Sequence, residues 1–576
     1  MEEDENSVTK RERFFTYLTQ KGEWSMTQRT FFQTADELKQ LLCHLVSIPS
    51  VTGTKAEQEM GRTIYEDLGQ LPYFQTHKEQ LRLHPTGDGR YVVAALAKRS
   101  NKKKTVVLIS HYDVVDVQDY GIWKDRAFSP DKLTDYFYNS KEVLPEHVKR
   151  DVETGNWLFG RGTMDMKCGL TLHMSMIEQA VNGEFDGNVL LLSVPDEEVN
   201  SAGMRSAVML LLQWQKTYDL EFELMLNGEP MFARYPGDET NYVYTGSIGK
   251  IMPAFYCYGK ETHVGEPFAG LNANLLVAKL TSELELNVDF CEVVEGQVSP
   301  APTSLMQRDL KEEYSVQIPH RSVGLYNLTI FNRSIVTLNQ MLLETAERVA
   351  SSVEEHYHKK AWKYGALSNS APRDVKVRVM TYEQLYEYAI LHHGQEHVES
   401  LHAHLLQSLE TIDERERSIK LVDELAILCK ELAPMIVLFY TPPYYPAICS
   451  ADHPLIQSLV KNVVTIAKET YGTILEEQLY FGGISDLSYA GLQDALQEVD
   501  PLISNLPLWQ KGYAIPFSEM AELRAPVLNV GPIGRDAHQW TERLELDYAF
   551  GPLKELIEQV IHDTFSFSSH KAVSNE

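Results

Sequence analysis

The stretch VLLLSVPDEE (189–198) carries an apolar run and a proline straight into three adjacent carboxylates, Asp196, Glu197 and Glu198. Three further apolar runs lead to residues of related chemistry. TVVLIS (105–110) runs into His111, with Asp113 two residues on. ELML (223–226) leads through Asn227 and Gly228 to Glu229, and APVLNVGP (525–532) leads through a short loop to His538. Asp165 joins them from the loop WLFGRGTMDMK (157–167). Carboxylates and imidazoles without a thiolate suit hard or borderline divalent cations, and a site for two cations needs a bridging carboxylate flanked by further acids and imidazoles. Such cations lower the pKa of bound water to about 7, and the base that takes its proton must stand within about 2.6–3.2 Å. Adjacent acids then make sense: one holds metal while its neighbour faces the water. The cations offset the repulsion between them.

Taken singly, each residue has a plainer reading. A histidine after a strand is most often a satisfied or exposed one, a Glu pair there is usually a solvated loop, and Asp165 alone reads as a helix N-cap. Their convergence decides otherwise. The runs that carry them are short and rich in Val, Ile and Leu, as expected of strands covered on both faces. Between the first two, Met166–Val181 has helical spacing and ends near Gly183. This alternation argues for an α/β domain with a mainly parallel sheet, and ligands of such sheets collect beyond the carboxyl ends of the strands.

The middle of the chain differs. KIMPAFYCYG (250–259) and SVGLYNLTIF (322–331) read as strands, 272–287 and 336–360 as long helices, and 381–433 as almost wholly helical and strongly charged. The expected organisation is an N-terminal extension (1–33), a catalytic domain in two parts (34–245 and 441–576), and an inserted α+β lid and dimerisation domain (246–440).

Composition limits the partners. With 43% hydrophobic and 23% charged residues the chain has the makeup of a globular protein. A net charge of −28 argues against a nucleic-acid backbone as partner. Runs such as MIVLFY (435–440) fall far short of the ~20 residues of a membrane helix. The charged start MEEDENSVTKRERFF lacks a secretory signal, and six scattered cysteines read as free thiols of a reducing compartment, hence a cytoplasmic protein. Lys21-Gly22-Glu23-Trp24 can be encoded by a purine-rich stretch resembling a ribosome-binding sequence, so translation is expected to begin at Met26. The last dozen residues should fray.

The ordered motifs resemble the zinc amidohydrolase and exopeptidase family of aminoacylase, acetylornithine deacetylase, succinyl-diaminopimelate desuccinylase and glutamate carboxypeptidase. They include LVSIPSVTGTKAEQEM (45–60), SHYDVVDV (110–117), LFGRGTMDMKCGL (158–170), PDEEVNSAG (195–203), NGEP (227–230), GKETHVGEPFAGLNAN (259–274), GGISDLSY (482–489) and GPIGRDAHQWTERL (531–544). Length and central region look most like a branch tied to arginine utilisation. The resemblance implies two divalent ions, zinc first and cobalt or manganese as substitutes. Asp165 would bridge them, with Glu198 and His538 on one, and His111 and Glu229 on the other. Glu197 would be general base and acid, Asp113 would hold a ligating imidazole in its tautomer, and His263 would stabilise the oxyanion, often across a dimer interface. Gly482, Gly483, Ser485 and Asp486 would border the substrate pocket, and Arg333 would grip a substrate carboxylate. The implied reaction is hydrolysis of an N-acyl amino acid or short peptide by metal-activated water in a homodimer.

Two competing readings carry less. His393-Gly394-Gln395-Glu396-His397 fits the H-x-x-E-H metalloprotease signature, but a glycine costs a helix ~1 kcal/mol against Ala, and a histidine-rich surface helix is the expectation. A metal-binding regulator or scaffold without catalysis is the other alternative; retention of the ligands, the base and Asp113 argues against it. Residues 132–155 and 381–433 are additions to the compact family pattern, expected to affect the pocket rim and the dimer surface respectively.

Overall fold

The computed structural model of the chain describes residues 31–568, apart from 100, 236, 372, 410, 411 and 494. The expected start at Met26 and the C-terminal residues past 568 lie outside the described residues.

The four apolar runs form the middle of an eight-stranded sheet, ordered 81–85, 91–97, 188–194, 104–111, 221–227, 527–529, 241–244, 475–478. Asn188–Val194, Lys104–His111, Glu221–Asn227 and Val527–Asn529 run parallel to one another. Their carboxyl ends therefore lie along one edge. Both faces of this centre are covered: Val107 and Ile109 enter one apolar core, Val106 and Leu108 the other. That double burial is why the run is continuously apolar instead of alternating. The helix expected from Met166 is Lys167–Asn182, buried along nearly its whole length and ended by Gly183 at φ 95°, the left-handed stop that glycine accepts most readily.

A second sheet is ordered 303–309, 321–330, 249–258, 435–445, 378–381. It too is covered twice. Ile251, Phe255 and Cys257 share a core with residues of the helices Ala273–Leu284 and Ile335–Ser368. Met252, Ala254 and Tyr256 share another with residues of Tyr382–His393 and Glu414–Leu428. The charged segment is thus three helices, Gln395–Ser408 lying between those two. Gly394, at φ 88°, separates the first from the second, so His393 and His397 do not share a helix. His402 departs from the surface-helix expectation: it is 1% exposed, stacked on Tyr386.

The 132–155 addition contributes to the helices Pro130–Asn139 and Glu146–Thr154, which pack with Trp157 and Phe159. Trp123 stacks there on Trp540, ring centroids 4.7 Å apart.

Candidate active site

The three adjacent acids after Val194 do three different things. Asp196, at φ 71°, turns away from its neighbours, pairs with Arg90 at 2.5 Å and accepts the Ala202 amide at 3.0 Å at the start of the next helix. Glu198 Oε1 lies 3.2 Å from His538 Nε2. Glu197 Oε2 lies 3.8 Å from His111 Nε2.

Asp165 stands between the two imidazoles. Its Oδ1 is 3.2 Å from His111 Nε2 and its Oδ2 is 3.3 Å from His538 Nε2. Glu229 Oε1 approaches His111 Nε2 to 3.5 Å. Residues from five separate stretches of chain thus meet at the edge where the parallel strands end.

The surrounding structure holds these groups in place. His111 Nδ1 is 3.0 Å from the backbone carbonyl of Asp113. A carbonyl can only accept, so Nδ1 carries the proton and Nε2 is left for the cluster. The Asp113 carboxylate is farther from that ring, at 3.6 Å. It accepts the amides of Glu197 and Glu198 at 3.1 and 3.3 Å and the Thr52 hydroxyl at 2.8 Å. The backbone carbonyl thus sets the tautomer, while the side chain shapes the acidic turn. Glu542 is buried, pairs with Arg161 at 2.7 Å and accepts the Gly162 amide at 2.8 Å, anchoring the loop that carries Asp165. Arg543 is 1% exposed and bonds Asp151 and Asp536. The 132–155 addition thereby braces the loop of His538, itself at φ 61°.

So much negative charge calls for a counterion. Counting protein groups alone, burial first and then repulsion by neighbouring acids push the Glu197 and Glu229 carboxyls well above the usual range. Burial raises Glu198 as well, and raises Asp486 to about 7. Burial disfavours charge on His538, yet bonds to Asp165 and Glu198 outweigh it and push the ring up to about 11. His111 is likewise raised, burial being overcome by Glu229 and its other acidic neighbours. Glu197 Oε1 and Glu229 Oε1 are buried without a hydrogen-bond partner among the described residues, which is costly for a desolvated polar atom. Donor atoms of His111, Asp165 and Glu198 all lie within 4.8 Å of one another, close enough to hold metal. These residues fit divalent metal.

Beside the cluster is a cavity of about 180 Å³. Asp165, Glu197, Glu198, Glu229 and His538 line one side; Val199, Phe232, Lys250, Tyr445, Phe481, Gly483 and Ile484 line the rest. Of the expected pocket loop, Gly483 is therefore on the wall, while Ser485 and Asp486 lie buried behind it. Gly482 has open space where a Cβ would project. His263 is exposed; its ring accepts the Gly265 amide and its backbone bridges Gln317. Arg333 donates to the carbonyls of Phe290 and Cys291 at 2.7 and 3.2 Å. Sequence reasoning missed Lys250, Tyr445, Phe232 and Phe481. No local spacing marks them, because packing between distant segments brings them here.

A mainly parallel sheet that gathers two imidazoles and several carboxylates at its strand ends, beside a small pocket, is the framework of a metallohydrolase. Residues 107–502 match the model of peptidase family M20/M25/M40. The chain is 49% identical over 526 residues to the uncharacterized protein YqjN of Bacillus subtilis, covering 91% of this chain and 96% of that one. It is 31% identical over 545 residues to the Bacillus subtilis protein RocB, covering 92% and 96%. Among solved structures, an M20 family metallo-carboxypeptidase, Sso-CP2 from Sulfolobus solfataricus, shares the fold with a TM-score of 0.53 at 14% identity, over 92% of this chain and 100% of that one. The protein belongs to peptidase family M20/M25/M40 and is a hydrolase acting on C–N bonds.

Proposed function

We propose that the chain hydrolyses the amide of an N-acyl amino acid or short peptide, in amino-acid breakdown of the arginine type, in the cytoplasm. The observation that supports this reading most is Asp165 set between His111 and His538, with Glu197 beside them and its Oε1 without a hydrogen-bond partner. His111, Asp165, Glu198, Glu229 and His538 would hold two divalent cations, zinc or, in its place, cobalt or manganese. When bound, these lower the pKa of a water and draw charge from the substrate carbonyl.

The remaining work belongs to the protein. Glu197 takes the proton of the attacking water through Oε1 or Oε2 and delivers it to the leaving amine nitrogen. The Tyr445 hydroxyl donates to the Glu197 carbonyl at 3.0 Å, holding that residue to the second sheet. The Asp113 carboxylate fixes the amides of both glutamates, so the base keeps its aim as its charge changes. Residues 246–440 act as the lid, with His263 supplied to the oxyanion by closure or by a second copy. Among the described residues no helix is long and apolar enough to cross a membrane, and all six cysteines are free, in keeping with a reducing compartment.

The test is a screen of the metal-loaded chain against N-acetyl and N-succinyl amino acids and dipeptides, with released amines read by mass spectrometry. Turnover of at least one class, abolished by chelation, is expected. Two bound ions with no turnover on any of them would overturn the reading.

A further inference from the structure

Lys250 is the one lysine or arginine on the cavity wall, and among the described residues its ammonium has no hydrogen bond and no ion pair. Its position follows from the strand Gly249–Tyr258. Met252, Ala254 and Tyr256 alternate onto the face packed against the added helices. Lys250 is the next residue on that face, where the strand reaches the catalytic edge. Tyr445 is its cross-strand partner in the register, and also lines the cavity while its hydroxyl holds Glu197. The neighbouring cation, Arg415, is already committed: it pairs with Asp413 and bonds Asn200 at 3.4 Å. The rest of that wall includes Val199, Phe232, Phe481 and Ile484.

A half-buried ammonium among apolar side chains, without a partner, is costly unless something brought to it carries the opposite charge. Glu197 across the cavity lends the Lys250 ammonium a favourable field, but no acid there pairs with it: Asp165, Glu197 and Glu229 lie against His111, and Glu198 against His538. Arg333, the expected grip for a substrate carboxylate, spends its guanidinium on two backbone carbonyls.

We propose that Lys250 forms an anion subsite that binds a carboxylate of the substrate, so that the enzyme selects amides carrying a negative group one short reach from the bond to be cut. This rests on the amide-hydrolase reading above. The carboxylate can belong to the amino acid or to a dicarboxylic acyl group; the chemistry that Lys250 recognises is the same, and the aliphatic and aromatic wall takes the neighbouring apolar part.

The test separates binding from turnover. In a zinc-loaded Glu197→Gln background, calorimetry compares N-acetyl-L-leucine, N-succinyl-L-leucinamide and the neutral N-acetyl-L-leucinamide. One anionic probe should bind about tenfold or more tighter than the neutral one, the size of a charge-assisted hydrogen bond, and which probe it is names the side of the scissile bond. Adding Lys250→Met should erase that preference, while Lys250→Arg should keep most of it. A preference that survives Lys250→Met, or no preference in the parent, overturns the subsite. Turnover by the unsubstituted chain is measured separately. Its absence sinks the amide-hydrolase reading without altering what the calorimetry says of Lys250.

Discussion

Replacing Glu197 with Gln keeps the side chain's shape and removes its basicity. If Glu197 is the base, kcat should fall by about 10²-fold or more, while bound metal, measured by elemental analysis, stays unchanged because Glu197 is not among the ligands. Glu396→Gln should leave turnover as it was: its two flanking histidines sit on different helices, either side of Gly394. The reverse pair of results would move the active site. At this scale the sequence was informative about residue types and silent about atoms. It placed Asp113 two positions after His111, but only the fold distinguishes the backbone carbonyl, 3.0 Å from the ring, from the carboxylate that receives two amides. It made Asp196, Glu197 and Glu198 look alike, and a single left-handed residue at Asp196 gives them separate tasks. Lys250 was illegible because its meaning depends on a strand from elsewhere in the chain meeting the acidic edge.

Elements carry their own titrations. His402 lies on Gln395–Ser408, buried, with Lys511 Nζ 3.4 Å from its Nδ1. Burial, and then that lysine, lower its pKa from 6.5 to about 4. An unfolded chain therefore binds a proton near pH 6.5 that the folded chain refuses. The neutral ring's contribution is intact above pH 6.5 and is lost progressively as pH falls toward 4. Each pKa unit is about 1.4 kcal/mol, so the effect is at most a few kcal/mol. Denaturant melts followed by circular dichroism should show wild type losing stability across that window and His402→Gln losing less; identical pH profiles would contradict the assignment. The helices themselves were legible where punctuation is strong, as at Gly183; at Gly394, read as a costly residue within one surface helix, the chain instead breaks into two helices at a positive φ. That 381–433 covers the second sheet's other face was not, since its apolar residues show a helix's period but not its partner.

Across the whole molecule, the candidate ligands tie the two ends of the catalytic sheet's sequence together, from His111 to His538. A cation bound there stabilises only the folded chain, by about 2.7 kcal/mol when free metal is a hundredfold above its Kd. Chelation should accordingly lower Tm by a few °C in scanning calorimetry at fixed scan rate; an unchanged Tm would mean the metals do not bridge these segments. Cation binding also has to displace the protons that His538 and its neighbours hold, so affinity should weaken as pH falls. The α/β class and the mainly parallel centre were readable because buried parallel strands need unbroken apolar runs. The brace that 132–155 provides to the His538 loop, through Asp151, Arg543 and Asp536, was not, since it joins segments nearly four hundred residues apart.

Metal stoichiometry in Asp165→Asn bears most directly on the central claim, that one carboxylate joins two cations between His111 and His538. Elemental analysis of the zinc-loaded, desalted chain should give two ions per molecule in wild type. In the variant it should give one or none, with hydrolysis lost alongside. Two ions retained by Asp165→Asn, or none bound by wild type, would contradict the account.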